Sequence, residues 1–222
     1  MFKLKKITAF TLAETLMVIG ILGIVSAITI PNLKNDTNYQ VNMSKAKKTY
    51  AELSTAWDRV TLKDSIVNGS NLEAADVSAK LKKYLKVKTT GTAYAPYTSG
   101  TDGNTCKTTA ALLSDGATFC VYGGTDSSYS TTYFQVVFDI DGPNKGANTP
   151  GEDIFWTNIA FKSGSVNPPA LDPVKYLSGY DLTSILTTNF SAPVSAMYWI
   201  LMNDNMEYLK CTVQWNTKTT CK

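Results

Sequence analysis

Two hydrophobic patterns occupy the first sixty residues. Phe10 to Ile30, FTLAETLMVIGILGIVSAITI, is apolar almost throughout and carries one charge, Glu14. At about 1.5 Å per residue it would span roughly 32 Å as a helix, close to the ~30 Å hydrocarbon core of a bilayer. Beyond Pro31 the polarity rises but helical periodicity persists. Tyr39, Met43, Ala46, Tyr50, Leu53, Trp57 and Val60 recur at alternating steps of four and three, which makes one apolar stripe. Lys45, Lys47, Lys48, Glu52 and Asp58 fall outside it, as expected of a helix laid on a sheet with its other face in water. The aromatic, irregular stripe positions suit packing on a domain better than a coiled-coil seam. Residues 10–60 thus predict one helix of about 75 Å if continuous, half in membrane and half in a domain.

The helical period fades after Thr61. Asn71 to Leu85 reads as a short amphipathic or looped segment rich in Lys and Ala. Lys88 to Thr105, Gly123 to Ser130 and Lys162 to Pro173 are loops by their Gly and Pro content. Between them lie β-rich runs, Ala117 to Tyr122, Thr132 to Ile140 and Ile154 to Phe161, with branched and aromatic residues partly alternating with polar ones. Val194 to Met202 is a short apolar segment, helix or strand. Met206 to Trp215 reads as a last strand after an Asn203-Asp204-Asn205 turn. The fold class is α+β, with a long N-terminal helix on an antiparallel sheet of about four strands, a count typical of sheets.

Composition narrows the chemistry. Among 222 residues there is no His, which excludes His-activated nucleophiles, His-ligated metals and a histidine pH switch. Of 21 Lys and Arg, Lys3, Lys5 and Lys6 precede residue 10, which leaves 18 to balance 18 Asp and Glu. A charge-neutral body argues against direct nucleic-acid binding. The three lysines should stay cytoplasmic, so the chain after Pro31 lies on the far side of the membrane, where disulfides form. Four cysteines allow three pairings, and nearest-neighbour spacing favours Cys106 with Cys120 and Cys211 with Cys221. No C-x-x-C is present, which points to structural bridges.

Glu14 decides between two readings of the apolar segment. An ordinary secretory signal would be cleaved near Val25, Ser26 and Ala27, but a carboxylate inside the apolar run costs a few kcal/mol without a partner. An intramembrane acid is by default a functional residue. These residues resemble the N-terminal signature of type IV pilins and type II secretion pseudopilins. The resemblance implies that Met1 to Ala9 is a cytoplasmic leader, that a prepilin peptidase cuts between Ala9 and Phe10, that the new Phe10 amine is methylated, and that Glu14 is the fifth mature residue. The family usually has Gly before the cut, where this chain has the similarly small Ala9.

The resemblance further implies that Gly23 and Pro31 let the helix loosen on filament assembly. Glycine weakens a helix by about 1 kcal/mol and proline deletes a backbone hydrogen bond. Alternatively, Gly20 and Gly23 simply allow close helix packing in a membrane. A C-terminal bridge, Cys211 with Cys221, is similar to the loop that many type IV pilins close near their C-terminus.

One loop has the look of a site: Asp139-Ile-Asp141-Gly-Pro-Asn144-Lys-Gly-Ala-Asn148-Thr-Pro-Gly-Glu152-Asp153. Its oxygen donors suit calcium, although its spacing is not that of an EF-hand. It is similar to the Asp- and Gly-rich calcium loop of major pseudopilins, which implies Asp139, Asp141 and Asp153 as ligands and Asn144 and Asn148 as auxiliaries. The plainer reading is a turn whose Asp, Asn, Gly and Pro satisfy backbone geometry.

The expected organisation is therefore residues 1–9 leader, 10–31 transmembrane and filament-core helix, 32–62 amphipathic continuation, and 63–222 an α+β head. The expected function is that of a pilin-like filament subunit of the bacterial inner membrane, head in the periplasm or outside, later in a filament at the cell surface. Its partners would be other pilin-like subunits, the prepilin peptidase and an inner-membrane assembly platform, with no cofactor beyond a structural calcium. Two other classes compete. An enzyme lacks a nucleophile elbow, a phosphate loop or a zinc-type cluster, and the pair Asp139 and Asp153 alone has little specificity. An adhesin would use some of the 12 Tyr and 4 Trp, most of which belong in a core.

Overall fold

A computed structural model describes residues 11–64, 66, 72–96, 106, 109–126, 131–143, 145, 146, 148–162, 171, 172, 192–215 and 217–221. The chain forms two compact units, Met1–Tyr39 and Gln40–Lys222. The first helix, α1 (Leu12–Lys63), supplies residues to both.

In the C-terminal unit the stripe predicted from periodicity is the packed face. Met43, Ala46, Leu53, Trp57 and Val60 are buried, with Thr49 and Ala56 widening the seam, while Lys48, Glu52 and Asp58 stay at the surface. Trp57 meets Phe161 edge to face at 6.2 Å, and the Tyr50 hydroxyl donates to the Leu171 carbonyl at 2.8 Å. A fully buried large apolar side chain stabilises by about 1.5–3 kcal/mol, so this face holds the segment on the sheet.

The sheet is an antiparallel meander in chain order: β1 (Val87–Thr90), β2 (Ala111–Leu113), β3 (Thr118–Asp126), β4 (Thr131–Asp139), β5 (Ile154–Lys162) and β6 (Leu171–Asp172). The central three are the runs legible in the sequence. Their register sets Phe119, Phe138 and Phe155 in one row and Cys120, Val137 and Trp156 in the next, on the opposite face. Phe134, Phe138, Phe155 and Phe161 line the face that Trp57 covers. Ala95, Ala110, Cys120, Val137, Ile154 and Trp156 form a core on the other. Burial on both sides explains why β4 and β5 read as nearly continuous apolar runs.

Six strands replace the expected four. β1 lies in the stretch from Lys88 that reads as a loop, Gly123–Asp126 extends β3, and β6 lies within 162–173. In each case pairing with a neighbouring strand orders a stretch that reads as loop, and β2, which no predicted run covers, is ordered by β1 and β3 on either side. Asn71 to Leu85 contains a helix, α2 (Ala74–Tyr84), which buries Ala74, Val77, Ser78 and Leu81. Its start is capped by Asp76, which accepts the Glu73 N–H at 3.0 Å.

The apolar segment near the end is a helix, α3 (Ala192–Asn203), with Ser195, Ala196, Met197, Trp199 and Ile200 buried. It stops at Asp204, whose φ of 54° is the left-handed conformation common just past helix ends. The expected last strand over Met206 to Trp215 does not form. Glu207–Leu209 is a 3-10 turn, and the carbonyls of Met206 and Glu207 accept N–H groups three and four residues on. Met206, Tyr208, Val213 and Trp215 are nonetheless buried, in two pairs out of phase with each other, and the backbone bonds close locally. Disulfides join Cys106 to Cys120 and Cys211 to Cys221.

Candidate functional site

Ala9, Phe10 and Asn144 lie outside the described residues. The helix beyond them begins at a reciprocal cap. Thr11 N–H and hydroxyl donate to Glu14 Oε2 at 2.9 and 2.8 Å, and Glu14 N–H returns to Thr11 Oγ1 at 3.3 Å. Thr11-x-x-Glu14 is a capping-box spacing, a signal present in the sequence but masked when Glu14 is weighed only as a membrane charge.

From Leu12 to Thr29 the helix has a mean hydropathy of 2.0 and none of it is buried. By length and composition it can cross a membrane, and a signal sequence passes the same test. Gly20 and Gly23 have open space where a Cβ would stand, so no contact within the chain requires glycine there. The helix is unbroken through Gly23 and Pro31.

The loop between β4 and β5 gathers carboxylates. Asp139, at the end of β4, is fully buried, and its Oδ1 accepts the N–H groups of Asp141 and Gly142 at 3.0 and 2.9 Å. Its Oδ2 and Asp141 Oδ1 are buried and have no hydrogen-bond partner among the described residues. Burial, with the Asp141 and Asp153 charges adding to it, pushes the Asp139 carboxyl up to about 7 against the two N–H donors. Asp153, also fully buried, accepts Asn148 N–H and Thr149 N–H at 2.6 Å each. Asn148 thus contributes its backbone to the loop, at a φ of 48°.

Gly146, at a φ of 68°, marks where two of these acids converge. A Cβ there would sit 2.6 Å from Asp153 Oδ2 and 2.9 and 3.1 Å from the two oxygens of Asp141. Lys45 Nζ lies 4.0 Å from Asp141 Oδ2. Tyr208, from the C-terminal segment, braces the loop by donating to the Gly151 carbonyl at 2.6 Å.

Among the described residues no three of His, Cys, Asp and Glu gather into a cluster able to hold a metal. What exists is convergence of Asp141 and Asp153, with unpartnered buried oxygens on Asp139 and Asp141. That donor chemistry fits a hard, oxygen-seeking cation. It is not a preformed cage.

No protein-family model matches the chain, and neither a curated protein nor a solved structure matches it.

Proposed function

We propose that the chain is a membrane-anchored subunit that works by polymerising. More particularly, we read it as a pilin-like subunit, a type IV pilin or a type II secretion pseudopilin.

The observation that carries this reading is the fully exposed apolar stretch Leu12–Thr29, with its single acid near its start and Lys3, Lys5 and Lys6 before it. Such a surface needs either lipid or other apolar helices. A subunit that leaves the bilayer exchanges the first for the second, and open head-to-tail contacts then build a fibre. In the fibre, Glu14 would be neutralised by the Phe10 amine of an adjacent subunit, which sets axial register. The α+β head behind an apolar helix supports the same reading. Anchorage would be in the bacterial inner membrane, and the partners would be further pilin-like subunits, a prepilin peptidase and an assembly platform. Asp139, Asp141 and Asp153 would hold a structural calcium, with Asn144 and Asn148 as auxiliaries.

The test is the intact mass and N-terminal sequence of the protein from membranes of cells with and without a prepilin peptidase. The expected product starts at Phe10 with one methyl group and disappears without the peptidase. A start at Ile28 would mean a secreted domain, and an uncut Met1 in both strains a simple anchor. Either would overturn the reading.

A further inference from the structure

The C-terminal unit carries a groove of about 520 Å³ that neither the apolar helix nor the acidic loop uses. Its size lies within the ~300–1,000 Å³ of small-molecule sites. One wall is the exposed shoulder of α1 from Lys48 to Arg59, another is the junction of α2 and β1 at Tyr84 to Lys86, and the end is the β2–β3 turn at Leu113 to Asp115.

The charges in this groove are not equivalent. Lys48 is committed, with Nζ 2.7 Å from Asp115 Oδ2 and 3.8 Å from Glu52 Oε1. The Asp115 hydrogen bond and charge hold its ammonium above the ordinary range. Asp115 is committed as well, since its other oxygen accepts the Ala117 N–H at 3.2 Å. The guanidinium of Arg59, on the α1 side of the groove, and the ammonium of Lys86, at the junction of α2 and β1, have no partner among the described residues. The groove therefore offers two free cations for an anionic group. It also offers two carboxylates whose remaining lone pairs accept hydroxyl protons, and the Thr55 and Ser114 hydroxyls.

A polyanion would meet Glu52 and Asp115 unfavourably, and a neutral sugar would leave Arg59 and Lys86 unused. A polyhydroxylated body with one anionic group satisfies both walls. We propose that this groove binds a sugar unit bearing a single carboxylate or phosphate, its anion held between Arg59 and Lys86 and its hydroxyls directed at Glu52, Asp115, Thr55 and Ser114. All of the lining comes from residues 48–115 of one chain, so the site is complete in a single subunit and is tested without assembly.

Equilibrium dialysis of the full chain in detergent micelles tests this, with labelled D-glucuronate, glucose 6-phosphate and glucose as probes. The expected result is saturable binding of at least one charged sugar with Kd at or below about 1 mM, and none of glucose at that level. The charged sugar that binds identifies carboxylate or phosphate as the anion. Arg59→Gln and Lys86→Gln should each raise Kd roughly tenfold or more at unchanged melting temperature, because each removes a charge-assisted contact. Lys88→Gln, an exposed lysine outside the groove, should leave it unchanged. Binding of neither charged sugar, equal binding of glucose, or equal weakening by Lys88→Gln would overturn the assignment. If Lys86→Gln lowers the melting temperature, Arg59→Gln alone decides.

Discussion

Thr11 and Glu14 cap one another at the start of α1, so the one acid of the apolar segment already has a partner three residues away. Two roles therefore compete for Glu14: closing the helix end, and neutralising an amine in a neighbouring subunit. Substitutions separate them. Thr11→Ala deletes the capping hydroxyl and keeps the charge, whereas Glu14→Gln keeps an acceptor for the Thr11 N–H and deletes the charge. In sheared filaments, Thr11→Ala is expected near the wild-type level. Glu14→Gln should fall about tenfold or more, since a desolvated amine left without its counter-charge is strongly penalised. Equal losses in the two variants would make capping the role of Glu14.

The legible parts of this fold are those whose partners lie far away but whose faces are set locally. Met43 to Val60 declares a buried stripe because a helix must place every third or fourth residue on one side. β4 and β5 declare themselves because both of their faces are covered. The short strands β1 and β6 do not, since their order comes from ladder bonds to β2 and β5 rather than from side-chain pattern. The segment after Asp204 misleads for a different reason. Its apolar side chains are buried, yet Asn205 draws the backbone into a local knot by accepting from Trp199 Nε1 and the Glu207 N–H and donating to the carbonyls of Asn203 and Thr219. In the acidic loop the donor types were legible. The complete burial of Asp139, the grip of Asp153 on two backbone N–H groups and the closeness of Asp141 and Asp153 to Gly146 were not, because each depends on loop closure.

Calcium should act through Asp139 and Asp141, whose unpartnered buried oxygens are available to an ion. Millimolar calcium is expected to raise the melting temperature by several degrees, about 4–8 °C per kcal/mol for a small domain and less for a larger one. Asp141→Asn should remove most of that response with little change in the calcium-free melting temperature. Gly146→Ala should remove it too while lowering the calcium-free value, because its Cβ collides with the Asp153 and Asp141 oxygens at a strained φ. Differential scanning calorimetry with calcium, magnesium and chelator reads all three. An unchanged melting temperature with calcium would eliminate the ion from this loop.

The two disulfides should differ in how they open. Both close short loops, with sequence separations of 14 and 10, so the chain-entropy model assigns each about 3 kcal/mol. Their surroundings differ: Cys120 is fully buried among Val137, Ile154 and Trp156, while Cys221 is exposed and Cys211 half-buried. Under graded reductant, mass mapping of alkylated cysteines should show Cys211 and Cys221 labelled first. Replacing both members of each pair by Ser should cost more at Cys106 and Cys120, since a hydroxyl would then replace Cys120 in an apolar core. Simultaneous labelling of all four cysteines would mean that the bridges open only with the whole head.

Asp139 gives a pH dependence of definite sign. Its carboxyl titrates at about 7 in the folded protein, because burial and the nearby Asp141 and Asp153 charges disfavour its ionised form. In the unfolded chain the ordinary value is about 3.9. Between these values the folded state holds more protons than the unfolded state, so this group's contribution to stability falls as pH rises from about 4 to 7 and is level above. Other carboxylates run the other way, such as Asp64, which the Lys80 hydrogen bond holds below its usual range. The difference between wild type and Asp139→Asn isolates the effect. Asparagine can still accept the Asp141 and Gly142 N–H groups and never ionises. In chelator, Asp139→Asn is expected to be more stable than wild type on the order of 4 kcal/mol at pH 7.5, with the gap closing toward pH 4. Urea unfolding across that range measures it. Saturating calcium should narrow the gap at pH 7.5 by compensating the Asp139 charge in wild type alone, and a gap independent of pH would show that the Asp139 carboxyl ionises in the folded loop as it does in the unfolded chain, which overturns the raised value.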